Sequence, residues 1–336
     1  MKGFEKTEEA VKKTNEDFLG VLKEWHEAAQ KNRQIFDWQW YLYDNFYKGK
    51  HYIQFNKSTH QIVTPPQPRG QVRMVVNKIY PTLRAIRNFA TSNRPRWEVT
   101  ANSTSEEDVN SSRQSAEALD YYYDYLNMPR KIKGSCLYAL KYGVAYFQYG
   151  WDEDATGLDN QAGEVDVWTR DPFDVYPDPI GMETGDIQNC RFVDIAVKKP
   201  IQDILNNKHY KTLQDYEVSG DTQRSASAFK DMLIKSQYLN SEASNKELKS
   251  VILHETWYKK QTTKDIGEGD EAKTVSDTEV WVASWIDGHL LRDEKTEHNK
   301  YPIISYSSDN NPNELIGEGY VKNLIPIQKV LNRLES

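Results

Sequence analysis

The run Glu279-Val-Trp-Val-Ala-Ser-Trp-Ile286, followed by Asp287-Gly288 and His289-Leu-Leu291, confines its backbone to one local structure, a β-hairpin. Alternation puts Trp281, Ala283 and Trp285 on one face of a strand and Val280, Val282 and Ile286 on the other. Asp-Gly is the pair that a tight two-residue turn selects, because the turn requires positive φ. Upstream, Val251 to Tyr258 is β-branched and aromatic and supplies a partner strand. The Gly-, Asp-, Glu- and Lys-rich stretch 261–277 between them reads as a loop, and Tyr301 to Tyr306 as a further strand. Together these predict a small all-β insert of residues 250–306 in a chain that is otherwise helical and mixed.

Residues Glu8 to Tyr47 carry apolar side chains at helical spacing, and Gly49 ends the pattern. A proline-rich loop over 58–70 follows, then a short strand at Val72–Val76. Asn77 next opens a helix with Pro81 in its first turn. Arg-Pro-Arg-Trp-Glu-Val99 leads into a strand. Ser103-Thr-Ser-Glu106 fits a capping box before a helix whose stripe is Val109, Ala116, Leu119, Tyr123 and Leu126. A helix over 130–142 stops at Gly143, a left-handed cap, and strands 144–151 and 164–169 pair back on each other. A strand at 191–197 and helices at 200–207 and 226–238 come next.

The last stretch, from Gly317 to Ser336, starts another helix. Val321, Leu324, Ile327, Gln328, Leu331 and Leu334 make a stripe interrupted once by an amide. Its expected partner is the helix 226–238, through Phe229, Leu233 and Tyr238. No Gly, Asn or Pro terminates it, so the chain is expected to be the front part of a longer protein.

Mean hydropathy is −0.80, polar for 336 residues, with aromatic area from 21 Tyr, 10 Phe and 9 Trp in partial compensation. That composition suits either a thin subunit with extensive contacts or a solvated multidomain protein. The net charge of −7 argues against affinity for nucleic acid by charge alone. Cys136 and Cys190 stand far apart and form neither a disulfide framework nor a thiolate zinc motif. The start has no apolar core of a signal peptide. The most apolar run, Cys136 to Trp151, includes Lys141 and is too short for a bilayer, so no membrane partner is expected.

No P-loop, dinucleotide fingerprint, HExxH or nucleophile elbow occurs; Gly317-Glu-Gly319 is only a fragment of a glycine motif. The seven histidines show no metal-ligand spacing. Asp171, Asp174 and Asp178 could be imagined as a divalent-cation site, but their spacing misses the EF-hand pattern and Asp-Pro pairs are ordinary turn initiators, so the stretch reads as turn. No catalytic, cofactor or metal residue is assigned. Trp257, Trp281 and Trp285 are candidate partner-binding anchors or core. Arg84, Arg87, Arg94 and Arg96 are candidate contacts to DNA phosphates or to acidic groups within or between subunits.

Several patches, in order, resemble the portal proteins of tailed bacteriophages, the head-to-tail connectors. They are Tyr43-Asp-Asn-Phe-Tyr-Lys-Gly-Lys50, Val76-Asn-Lys-Ile-Tyr-Pro-Thr-Leu83 with Ser92-Asn-Arg-Pro-Arg-Trp-Glu-Val99, and Leu140-Lys-Tyr-Gly-Val-Ala-Tyr-Phe147 with Trp151-Asp152. Asp171-Pro-Phe-Asp-Val-Tyr-Pro-Asp-Pro179 and the Gly317–Ser336 stretch complete the set. The resemblance runs from about residue 30 to the end. It implies an α+β, elongated subunit with a helical and β wing over 1–200, a linker and first stem helix over 201–249, a β-rich clip over 250–306, and a return stem with the start of a tunnel helix over 307–336. It also implies a structural, non-enzymatic virion protein at the capsid vertex. This would be a homo-oligomeric, dodecameric ring that meets terminase, neck or adaptor proteins and the major capsid protein. Double-stranded DNA would pass through it without sequence specificity, and the host cytoplasm would be its place of assembly. The residues alone leave open a carbohydrate-active hydrolase with paired carboxylates, or a monomeric virion adaptor.

Overall fold

The computed structural model describes residues 2–56, 61–67, 69–70, 72–156, 162–207, 209–210, 225–237, 250–266 and 273–336. Its helices are α1 (Lys2–Tyr47), α2 (Ile79–Ala90), α3 (Glu106–Tyr125), α4 (Met128–Tyr142), α5 (Ile201–Asn206), α6 (Ala228–Gln237) and α7 (Tyr320–Glu335). Its strands are β1 (Gln54–Asn56), β2 (Gln61–Val63), β3 (Ala145–Thr156), β4 (Ala162–Arg170), β5 (Val175–Pro177), β6 (Phe192–Pro200), β7 (Ser250–Ile266), β8 (Lys273–Ile286), β9 (His289–Lys295) and β10 (Ile303–Tyr306). The sheets are antiparallel and the class is α+β, as expected. Two units emerge: Met1–Tyr41 with Asp171–Pro302 and Asn311–Ile316, and Leu42–Arg170 with Ile303–Asn310 and Gly317–Ser336.

The first unit is built on the sheet β5-β6-β7-β8-β9. The predicted hairpin is there, with Gly288 at φ +87° and Ile286 opposite His289. Cross-strand pairing then fixes the faces, because partners point the same way. Tyr176, Asp194, Thr256 and Ala283 line up across one face, with Phe192, Tyr258 and Trp281 in the neighbouring row. The N-terminal helix covers this face. Leu19, Leu22 and Ala29 of α1 pack with Tyr176, Phe192, Ala196, Tyr258, Ala283 and Trp285, and Trp25 stacks on Phe192 at 5.0 Å. The opposite face carries Val251, Leu253, Ile286 and Leu291, with Ile204 of α5 against them.

Two expectations are corrected by this pairing. Residues 250–306 are not a sheet of their own. β7 pairs with β6 from Phe192↔Tyr258 to Pro200↔Ser250, and β10 pairs instead with β3, from Ile303↔Gln148 to Tyr306↔Ala145. The backbone groups along the far edge of β7 need partners that a hairpin cannot give. The loop over 261–277 is also narrower, since the ladder continues out to Ile266↔Lys273. The Thr and Val content of these arms favours strand over the charges that suggested loop.

In the second unit, α4 packs against α2, α3 and α7, and β10-β3-β4 forms a three-stranded sheet, in addition to the β1-β2 pair of the same unit. Val72–Val76 and Arg94–Val99 are irregular rather than strands. The N-cap of α3 is Ser105, whose Oγ accepts from the Asp108 backbone N–H at 3.3 Å, in place of the predicted Ser103. Of the predicted α3 stripe, Tyr123 is buried, while Val109 and Leu119 are exposed.

The face of α7 is corrected too. Val321, Ile325, Gln328 and Asn332 are buried; Leu324 and Leu331 are half-buried, and Ile327 and Leu334 are 65% and 79% exposed. The reason is polar. Residues 76–78 have no strand partner, and the Gln328 amide satisfies them, accepting from the Lys78 N–H (2.9 Å) and donating to the Val76 carbonyl (2.8 Å). Asn332 joins Gln328 (2.9 Å) to the His51 ring (2.8 Å). The helix thereby turns its amides inward and leaves Ile327 and Leu334 outside. Its packing partners within the unit are α4 and α2; the helix expected at 226–238 belongs to the first unit, and its Tyr238 lies outside the described residues.

Candidate functional site

Three residues far apart in sequence converge under α1. His26 Nδ1 lies 2.7 Å and His254 Nδ1 2.9 Å from the same oxygen, Asp194 Oδ2. The other carboxylate oxygen, Oδ1, accepts from Thr256 Oγ1 at 2.8 Å, and the Trp285 indole N–H donates to that hydroxyl at 2.9 Å. Each side chain is placed by an element already described. His26 sits on α1 one turn beyond Leu22, while Asp194 and His254 alternate inward on β6 and β7. Trp285 lies flat on His254 at 3.9 Å, and Tyr176 packs against His26 at 4.5 Å. The Asp194 side chain is 1% exposed, those of His26 and His254 12% and 10%. Burial pushes the Asp194 carboxyl up, but His254 and then His26 outweigh it and hold it well below the usual carboxylate range. Among the described residues this is the one group of three or more His, Cys, Asp or Glu with atoms close enough to share an ion. Sequence spacing missed it because the pleat and the helix crossing, not a local motif, bring the three together.

The aspartates of the Asp-Pro stretch serve structure. Asp171 accepts from the Phe173 N–H at 3.1 Å and opens a short 3-10 turn, Pro172–Asp174. Asp174 and Asp171 both hold Lys230 of α6. Asp178 receives a two-pronged contact from Arg191, at 2.8 and 2.7 Å, plus the backbone N–H groups of Arg191 and Ile180. Burial raises the Asp178 carboxyl, yet these hydrogen bonds win and lower it. The folded form therefore holds this proton less tightly than the unfolded chain. Its contribution is present above about pH 4 and fades as pH falls below that. Asp178→Asn is expected to lower stability more at pH 6 than at pH 3 in urea titrations. An equal loss at both would remove the assignment.

Trp285 and Trp257 are buried and Trp281 is half-buried. Trp281 and Trp285 lie on the face under α1, whereas Trp257 is on the other face, near His298. Arg94 forms ion pairs with Asp124 (3.1 Å) and Asp120 (3.4 Å), and its guanidinium lies 5.0 Å from the Tyr123 ring. Arg87 is half-buried and reaches Asn88 at 3.4 Å; Arg84 and Arg96 are exposed. The fold thus joins Arg94 to acidic groups of its own unit and leaves Arg84 and Arg96 facing solvent.

A family model described as Phage P22-like portal protein matches residues 21–336, nearly the whole chain. The chain belongs to the phage P22-like portal protein family. Comparison with curated proteins gives no match. A portal is a structural component of the phage virion, and the ordered patches noted in the sequence fall within the matched range. Among the described residues of this portal-family chain, no helix is long and apolar enough to cross a membrane.

Proposed function

We propose that the chain assembles into a closed homo-oligomeric ring, a dodecamer, at one vertex of the capsid, through which double-stranded DNA is packaged and later ejected. Terminase, neck or adaptor proteins and the major capsid protein dock on it, and host cytoplasm is where it assembles. The family match over residues 21–336 carries this reading. Physical features support it. A net charge of −7 suits a conduit that must not grip DNA, and a closed ring needs heterologous faces on each subunit. The exposed face of α7, with Tyr320, Ile327, Val330 and Leu334, offers apolar area for such a contact.

Negative-stain imaging and mass photometry of the purified chain test the reading. Rings with an axial hole support it, and a strictly monomeric particle at micromolar concentration overturns it. Ile327→Asp combined with Leu334→Asp is expected to abolish rings while leaving the stability of the monomer within about 0.5 kcal/mol, because both side chains are solvated there. Rings that persist in the double variant would place the interface elsewhere.

A further inference from the structure

We propose that His26, Asp194 and His254 form a binding site for a zinc-class divalent transition metal that clips α1 to the sheet. Two imidazole nitrogens and one carboxylate oxygen are a donor set that zinc accepts, with a fourth position left for water. The three ligand atoms already lie within 4.8 Å of one another. A tetrahedral ion with bonds of about 2.0–2.1 Å spaces its ligands about 3.3 Å apart. Each nitrogen would therefore withdraw from Asp194 Oδ2 by roughly half an ångström, within the reach of small side-chain rotations.

The surroundings are those of a prepared site. Thr256 fixes the far oxygen of Asp194, and Trp285 fixes Thr256, so the carboxylate presents Oδ2 in one orientation. Trp285 holds the plane of His254 by stacking, and the ring of His26 stands at 86° to that of His254. A fully buried anion is costly, and a dication bound at Oδ2 would neutralise it. The slight exposure of both histidines leaves an entry path. The imidazoles would bind through Nδ1 as neutral ligands with one ring proton on Nε2, any further proton passing to solvent. Because His26 belongs to α1 while the other two ligands belong to β6 and β7, occupancy would tether the long helix at a single point.

The test uses the full chain, stripped with chelator and dialysed, then titrated with Zn²⁺ by calorimetry and with Co²⁺ by visible absorption. One ion per chain is expected, with the ligand-field bands of four-coordinate cobalt and a raised unfolding temperature. His26→Gln and His254→Gln should each weaken binding at least about tenfold, and Thr256→Val by about ten- to a hundredfold. Circular dichroism of the metal-free variants confirms that they fold. X-ray absorption of the zinc form should show two nitrogen ligands with oxygen completing the shell. Absence of binding, or binding that both histidine variants leave unchanged, would overturn the proposal and leave a hydrogen-bonded cluster or an adventitious surface site.

Discussion

Replacing Arg33 by methionine is expected to destabilise the first unit by about 3–5 kcal/mol, the scale of breaking a buried ion pair from one side. Arg33 is wholly buried on α1. Its Nε donates to Asp37 at 2.8 Å, and its Nη groups donate to the carbonyls of Pro172 (3.1 Å), Phe173 (2.8 Å) and Val175. The guanidinium also lies 3.6 Å from the centre of the Tyr176 ring. One side chain therefore closes the turn that begins the Asp-Pro stretch and neutralises Asp37, which also accepts from Ser227 at 3.0 Å. Methionine keeps the volume but strands a buried carboxylate and three carbonyls. Arg33→Lys should recover only part of the loss, because an ammonium cannot span those acceptors as a planar fork does. Urea unfolding followed by tryptophan fluorescence measures both variants. A loss below about 1 kcal/mol for the methionine variant would show that the network contributes far less than its burial implies.

The second large effect is expected at Gly143, the cap of α4. Gly143 sits at φ +81°, its N–H bonds back to Ala139 at 2.9 Å, and its carbonyl accepts from the Gly317 N–H at 3.1 Å. A Cβ there would fall 2.7 Å from the Gly317 carbonyl carbon and 2.9 Å from the Gly319 nitrogen, both immovable backbone. Gly143→Ala should cost about 2–5 kcal/mol, combining a left-handed alanine with an overpacked contact. Gly70→Ala is the control. It has a similar φ of +85° and nothing within 4 Å among the described residues, so it should show the conformational cost alone, about 1–2 kcal/mol. Equal losses in thermal or urea unfolding would refute the close-packing account of Gly143. The same geometry explains Gly317-Glu-Gly319: a Cβ on Gly319 would stand 2.7 Å from the Lys141 carbonyl carbon, so these glycines let two backbones touch rather than cradle a phosphate.

Periodicity and turn chemistry were strong enough to read the local elements. The 279–291 hairpin, α1, the Gly143 stop of α4, and β3 with β4 all follow from patterns within a few residues, where sterics and side-chain alternation act without help from distant chain. The ordered patches likewise sufficed to place the chain among portals. Three kinds of fact lay beyond that reach. Strand partners are chosen by whichever edge is left open, so β7 took β6 and β10 took β3. The face of α7 was decided by the unmet backbone groups of residues 76–78, a demand that no apolar count registers. The His26–Asp194–His254 cluster joins residues 168 and 60 positions apart, and it exists only because helix packing and sheet register superimpose them. The sequence by itself determined which segments are helix and hairpin and which family they compose. Tertiary structure alone decided which edges pair, which face of a helix is buried, and which polar groups meet, because those outcomes depend on satisfying groups that become neighbours only after the chain has folded.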